Sequence, residues 1–150
     1  MAIGPIPFRS QIFFGAKSTN QALSTSLADL TTWLPPDRED SIYSLNTTTG
    51  VLTINKDGWF SFNFWGRCSN TGNGRSSVQV QLTNGSGTII DTTAQDEQYN
   101  TRLSSVHEVG SVQFNNKIYE VSDGDTFKVQ ARYEGSACTM IYANLAVMEV

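Results

Sequence analysis

The chain has 150 residues, 39% hydrophobic and 16% charged, with a formal net charge of -4. A chain of this length buries about 70% of the surface it exposes when unfolded, so one domain spanning 1–150 is expected, with 1–10 as an extended N-terminal arm. The acidic balance excludes a phosphate-neutralising surface and so excludes nucleic acid as a partner. No apolar run approaches the ~20 residues of a membrane-crossing helix, and no membrane insertion is expected.

Taken in chain order, the sequence predicts strands at 11–17, 41–46, 51–54, 59–69, 77–83, 88–92, 103–114, 118–121, 126–133 and 138–150. Clusters of Gly, Asn, Asp and Pro separate them, and no apolar stripe of helical period interrupts them, so the fold class is all-β. The NGSG stretch from Asn84 to Gly87 is a hairpin signal, because Asn and Gly tolerate the positive φ of tight turns.

The strands differ in how their second faces are dressed. In 126–134, Phe127, Val129, Ala131 and Tyr133 alternate with Thr126, Lys128, Gln130, Arg132 and Glu134, one apolar face and one wet face. The strand at 59–69 sets Phe60, Phe62, Phe64 and Cys68 on one side, yet places Trp59 and Trp65 on the other. The last strand is apolar on both sides, with Ala143, Leu145 and Val147 against Met140, Tyr142 and Met148. A sandwich normally leaves its outer faces to solvent. These two strands therefore predict an outer face covered by another copy or another protein, or else by the segment 18–40.

The order NTTTGVLTINKDGWFSFNF resembles the globular head of complement component one q and the wider tumour-necrosis-factor-like family, with Gly50, Val51, Gly58, Phe60, Phe62 and Phe64 on the matching positions. Further on, IYEVSDGDTFKVQ is similar to the family's Gly-Asp turn between two strands, and CTMIYANLAVMEV to its closing strand. The resemblance implies a ten-strand, two-sheet antiparallel jelly-roll sandwich assembled as a trimer. Trp59, Trp65, Met140, Tyr142 and Met148 would then face the neighbouring subunits. It also implies that the aromatic strand and the closing strand are antiparallel neighbours, with Cys68 and Cys138 facing each other as a candidate disulfide.

Sites of chemistry are scarce. His107 is the only histidine, and its SSVHEVG context carries no nucleophile elbow, so no catalytic residue is assigned. Cys68, Cys138 and His107 lack paired zinc-ligand spacing, and no cofactor is implied. Asp123 and Asp125 of SDGD, and Asp37, Glu39 and Asp40 of PPDRED, are the calcium candidates, although SDGD reads equally as a hairpin turn. Arg75, Tyr99 and Arg102 lie in stretches read as loops, SNTGNGRSS and EQYNTR, and are the candidates for recognising a saccharide or a protein.

Two readings result. By resemblance, the same architecture serves in bacteriophage fibre tips and head decoration proteins. That setting is a virion, and the partners would be self, other virion proteins and a host receptor or glycan. The second reading is a cellular recognition module of complement-head-like or lectin-like kind.

Overall fold

The structure, a computed structural model, describes residues 12–36, 40–90, 95–102 and 109–150, of which 95–102 are described by their backbone. Among these residues there is no helix. The strands are β1 (Ile12–Lys17), β2 (Gln21–Ala22), β3 (Ala28–Asp29), β4 (Tyr43–Leu45), β5 (Leu52–Ile54), β6 (Gly58–Asn70), β7 (Arg75–Asn84), β8 (Gln95–Arg102), β9 (Val109–Val121), β10 (Asp125–Gly135) and β11 (Cys138–Glu149).

They form two antiparallel sheets. One has the order β1-β11-β6-β9, with β2 continuing along β11; the other has β4-β5-β10-β7-β8, with β3 continuing along β10. Between them lies one apolar cluster. Phe60, Phe62, Phe64 and Cys68 of β6 meet Phe127, Val129 and Ala131 of β10 and Val78, Val80 and Leu82 of β7, all buried. Phe62 and Phe127 join the sheets most directly, with ring centroids 4.8 Å apart. Each such ring or branched side chain withdrawn from water contributes about 1.5–3 kcal/mol.

The segment 18–36 does not lie over the tryptophan face. Its backbone runs from the edge of one sheet to the edge of the other: Gln21 pairs with Met140 of β11, and Ala28 with Ala131 of β10. Leu30 and Trp33 drop into the core, where Trp33 Nε1 donates to the Leu30 carbonyl at 2.8 Å. Gly50 takes a positive φ of 75° directly beneath, so the turn that the sequence marks at 46–50 closes against this pair.

Three expectations are corrected here. The described part of the predicted strand 103–114, from Val109 on, is joined with the predicted strand 118–121 in β9, where Asn115–Asn116 is a bulge rather than a turn; Asn116 absorbs it with φ of 53°, and 103–108 lie outside the described residues. Of the predicted strand 88–92, the described residues 88–90 contribute only a bridge, Thr83 to Ile89, beyond the expected tight turn at Asn84, and 91–92 lie outside the described residues. The stretch containing Tyr99 and Arg102 is the strand β8, not a loop, because its backbone pairs with β7 from Gln95 to Arg102 with one register shift opposite Ser76–Ser77; Arg75, also read in a loop, opens β7.

Candidate functional site

The outer faces of the two sheets differ as their sequences require. On the β10 side the outward residues are polar and mutually engaged: Lys128 and Gln130 both reach Asp29 at 2.8 Å, and Arg132 Nε donates to Gln79 Oε1 at 2.6 Å. Burial alone would raise the Asp29 pKa, but these two hydrogen bonds and the Lys128 charge outweigh it and lower it.

The β6 side is built otherwise. Register places Ile12, Met148, Ser61 and Ile118 in one row across β1, β11, β6 and β9. A second row holds Ala16, Asn144, Trp65 and Gln113. Trp59, beside Glu120 on β9, is 52% exposed, and Phe14 on β1 is 62% exposed. Ile12, Ile118, Met148 and Val150 are exposed as well, so a continuous apolar surface crosses four strands. Trp65 packs edge-on against Tyr142 on this face.

Two of the polar residues within the face, Ser61 and Asn63, are accounted for by the bulge. Asn63 Oδ1 accepts the Asn116 N–H at 2.8 Å, Asn63 Nδ2 donates to Ser61 Oγ at 3.3 Å, and Ser61 Oγ donates to Asn116 Oδ1 at 3.2 Å. Side chains that read as an interruption of the apolar stripe thus satisfy the backbone where the β6–β9 ladder breaks.

Of the residues expected on this face, Trp59, Trp65, Tyr142 and Met148 lie there, and Met140 does not. A register shift between Met140 and Tyr142 changes the parity of β11, so Met140 points inward with no exposed surface. It packs on Cys68, sulfur to sulfur 3.6 Å, and over Gly66, where a Cβ would come within 2.9 Å of its Sδ. Ile12, Phe14, Ile118 and Val150 were missed. Alternation in IFFGAK was the available signal, since Ile12 and Phe14 flank the buried Phe13.

The cysteine expectation is corrected in part. β6 and β11 are antiparallel neighbours, but Cys138 is opposite Asn70 and Cys68 opposite Met140, a two-residue offset. Both are free and buried. Cys138 Sγ lies 2.9 Å from Ser76 Oγ, while burial, and then the nearby Cys138, push the Cys68 thiol up to about 12.

The calcium candidates take structural parts. Asp125 Oδ2 accepts the Ser122 N–H at 2.9 Å and closes the 122–125 turn, and the Asp123 N–H donates to Asp57. Among the described residues no cluster of three metal-ligating side chains occurs. Asp40 Oδ1 accepts the Ile42 N–H at 2.9 Å; Asp37, Glu39 and His107 lie outside the described residues. The recognition candidates share one end of the sandwich, where register sets Arg75 opposite Arg102 and Ser77 opposite Tyr99.

No protein-family model matches this sequence, and no curated protein matches it. Solved structures do. The Eiger tumour necrosis factor of S. frugiperda is similar over 97% of this chain and 94% of that one, with a TM-score of 0.66 and 16% identity. The fold is the tumour-necrosis-factor-like jelly roll. The globular domain of zebrafish complement 1qA matches 93% of this chain and 96% of its own with a TM-score of 0.58 at 14% identity. Murine APRIL at pH 5.0 matches 95% and 100% with a TM-score of 0.56 at 8% identity. At such identities the likeness is one of fold.

Proposed function

We propose that the protein is a non-enzymatic assembly module, a homotrimer held together through the outer face of the β1-β11-β6-β9 sheet. The observation that carries this is the apolar surface running from Phe14 and Ile12 through Met148 and Trp59 to Ile118 on a sheet whose other face already fills the core. Contiguous exposed apolar surface of this kind marks an interaction site. A second copy supplies a matching apolar surface, and the jelly-roll resemblance gives three as the closed number.

Within that reading we place the module in a virion, as a capsid decoration or fibre-tip protein that stabilises the particle or attaches it to a host receptor or glycan. An acidic chain with two free buried thiols suits assembly in a reducing cytoplasm. The solved neighbours favour a second setting for the same trimer, a cellular recognition module. Light scattering tests the assembly: three chains of 16.5 kDa give 49.5 kDa, and a stable monomer at micromolar concentration refutes it. Peptide mass spectrometry of purified particles tests the setting, and absence of the chain from them refutes the virion assignment.

A further inference from the structure

The bend between β6 and β7 holds an Asn-Gly pair whose surroundings differ from those of the chain's other one. Around residues 71–74 the backbone is clamped: Asn70 Oδ1 accepts the Gly72 N–H at 2.8 Å, Asn70 Nδ2 donates to the Gly74 carbonyl at 2.7 Å, and the Gly74 N–H donates to Ser136 Oγ at 2.9 Å. Asn73 and Gly74 are nonetheless exposed, and the Asn73 side chain makes no hydrogen bond among the described residues. At the second pair, Asn84 Oδ1 accepts from both the Ser86 and the Thr88 N–H at 3.0 Å, and the Gly85 N–H donates to the Thr126 carbonyl at 2.9 Å. A Cβ on Gly85 would fall 2.0 Å from Thr126 Oγ1, so that pair is locked against β10.

We propose that Asn73–Gly74 is a self-modifying site, deamidating in the folded protein while Asn84–Gly85 is protected. Glycine without a Cβ leaves its nitrogen open to the neighbouring side chain. The Gly74 N–H first leaves Ser136 Oγ, a serine hydroxyl in an exposed hydrogen bond rather than a strand carbonyl, and gives up its proton to solvent. The nitrogen then bonds to Cγ of Asn73, whose side chain no hydrogen bond among the described residues holds back. The Cγ–Nδ2 bond breaks, ammonia leaves, and water opens the resulting cyclic imide to aspartate or isoaspartate. Only water is consumed. The change adds one negative charge next to Arg75, which lies opposite Arg102 in the β7–β8 register, so this end of the sandwich has two charge states. The inference rests on loop geometry and stands whether or not the chain is a trimer.

The test is peptide mapping of the intact native protein held in mildly alkaline buffer, with enzymatic isoaspartate labelling, beside a urea-unfolded sample. Conversion at Asn73 with Asn84 intact in the native sample, and conversion at both in the unfolded one, is expected. Gly74→Ala should slow the Asn73 reaction at least several-fold and leave the fold unchanged, since a Cβ there meets only Ser136, at 3.6 Å and 3.7 Å. Native Asn73 staying intact while the unfolded control converts would overturn the proposal. So would native Asn84 converting as fast as Asn73.

Discussion

Trp65 and Tyr142 meet edge to face on the outer side of the β6 sheet, ring centroids 5.5 Å apart and planes at 60°. An aromatic pair of this geometry adds about 0.5–1.5 kcal/mol beyond its buried area, and it makes a rigid platform for another surface. Trp65→Asp would set a charge within that platform, and an unpaired charge in an interface costs several kcal/mol. The expected result is a shift in light scattering from the mass of the proposed trimer toward 16.5 kDa. Ser86→Asp, in the exposed hairpin turn, should leave the mass unchanged.

Gly50 separates a required glycine from a permitted one. A Cβ at this position would lie 2.1 Å from the Leu30 carbonyl oxygen and 2.7 Å from Trp33 Nε1, at φ of 75°. Gly50→Ala combines a left-handed alanine with the loss of the buried Trp33–Leu30 hydrogen bond, together about 3 kcal/mol or more. Gly124 has φ of 87° and nothing within 4 Å of its Cβ position. Gly124→Ala should therefore cost only about 1 kcal/mol. Urea denaturation of the two variants measures the difference, and equal losses would contradict the account of the turn.

The apolar outer face was legible in the sequence because β6 alternates without a break from Trp59 to Asn70, so parity alone assigns its two sides. Parity failed where the ladder does. The register shift after Met140 is made by one extra residue in a run with no Gly or Pro to announce it, and every assignment upstream of it reverses. The bulge in β9 failed in the opposite sense, since Asn115 and Asn116 carry turn chemistry that this fold uses inside a strand. β2 and β3 have two residues each, and their pairing depends on edges formed 100 or so positions later, beyond any local pattern.

Stability should fall in alkali. Burial, then Cys138, raises the Cys68 thiol from 9.0 to about 12; burial, then the Asp40 and Glu149 carboxylates, raise Tyr43 from 10.0 to about 12. Between pH 9 and 12 the folded state keeps protons that the unfolded chain has released, so rising pH favours unfolding across that window. Lys17, buried with its ammonium donating to the Thr31 carbonyl and Thr19 Oγ1, has a lowered pKa and acts with the opposite sign. Two groups raised by burial against one lowered leave a net fall. Urea midpoints should be level between pH 7 and 9 and decline above it, more shallowly in Cys68→Ala; a flat profile above pH 9 in the wild-type chain would contradict this.

The C-terminal residues should prove indispensable. β11 lies between β1 and β6, and residues 143–148 are the whole register partner of β1. A chain ending at Tyr142 loses Ala143, Leu145 and Val147 from the core and strips β1 of every ladder hydrogen bond it makes. Burial of the Leu and Val side chains alone is worth about 3–6 kcal/mol, against a total stability of about 5–15 kcal/mol for a typical domain. The unpaired backbone of β1 and β6 adds to the loss. Such a chain should express insoluble or melt without a cooperative transition. Removing Val150 alone tests whether position or mere length matters: it is 59% exposed and gives up one hydrogen bond, to the Trp59 carbonyl at 2.9 Å, so that variant should fold and melt nearly as the full chain does. A soluble, cooperatively melting chain ending at Tyr142 would mean that β11 is not the central strand its pairing describes.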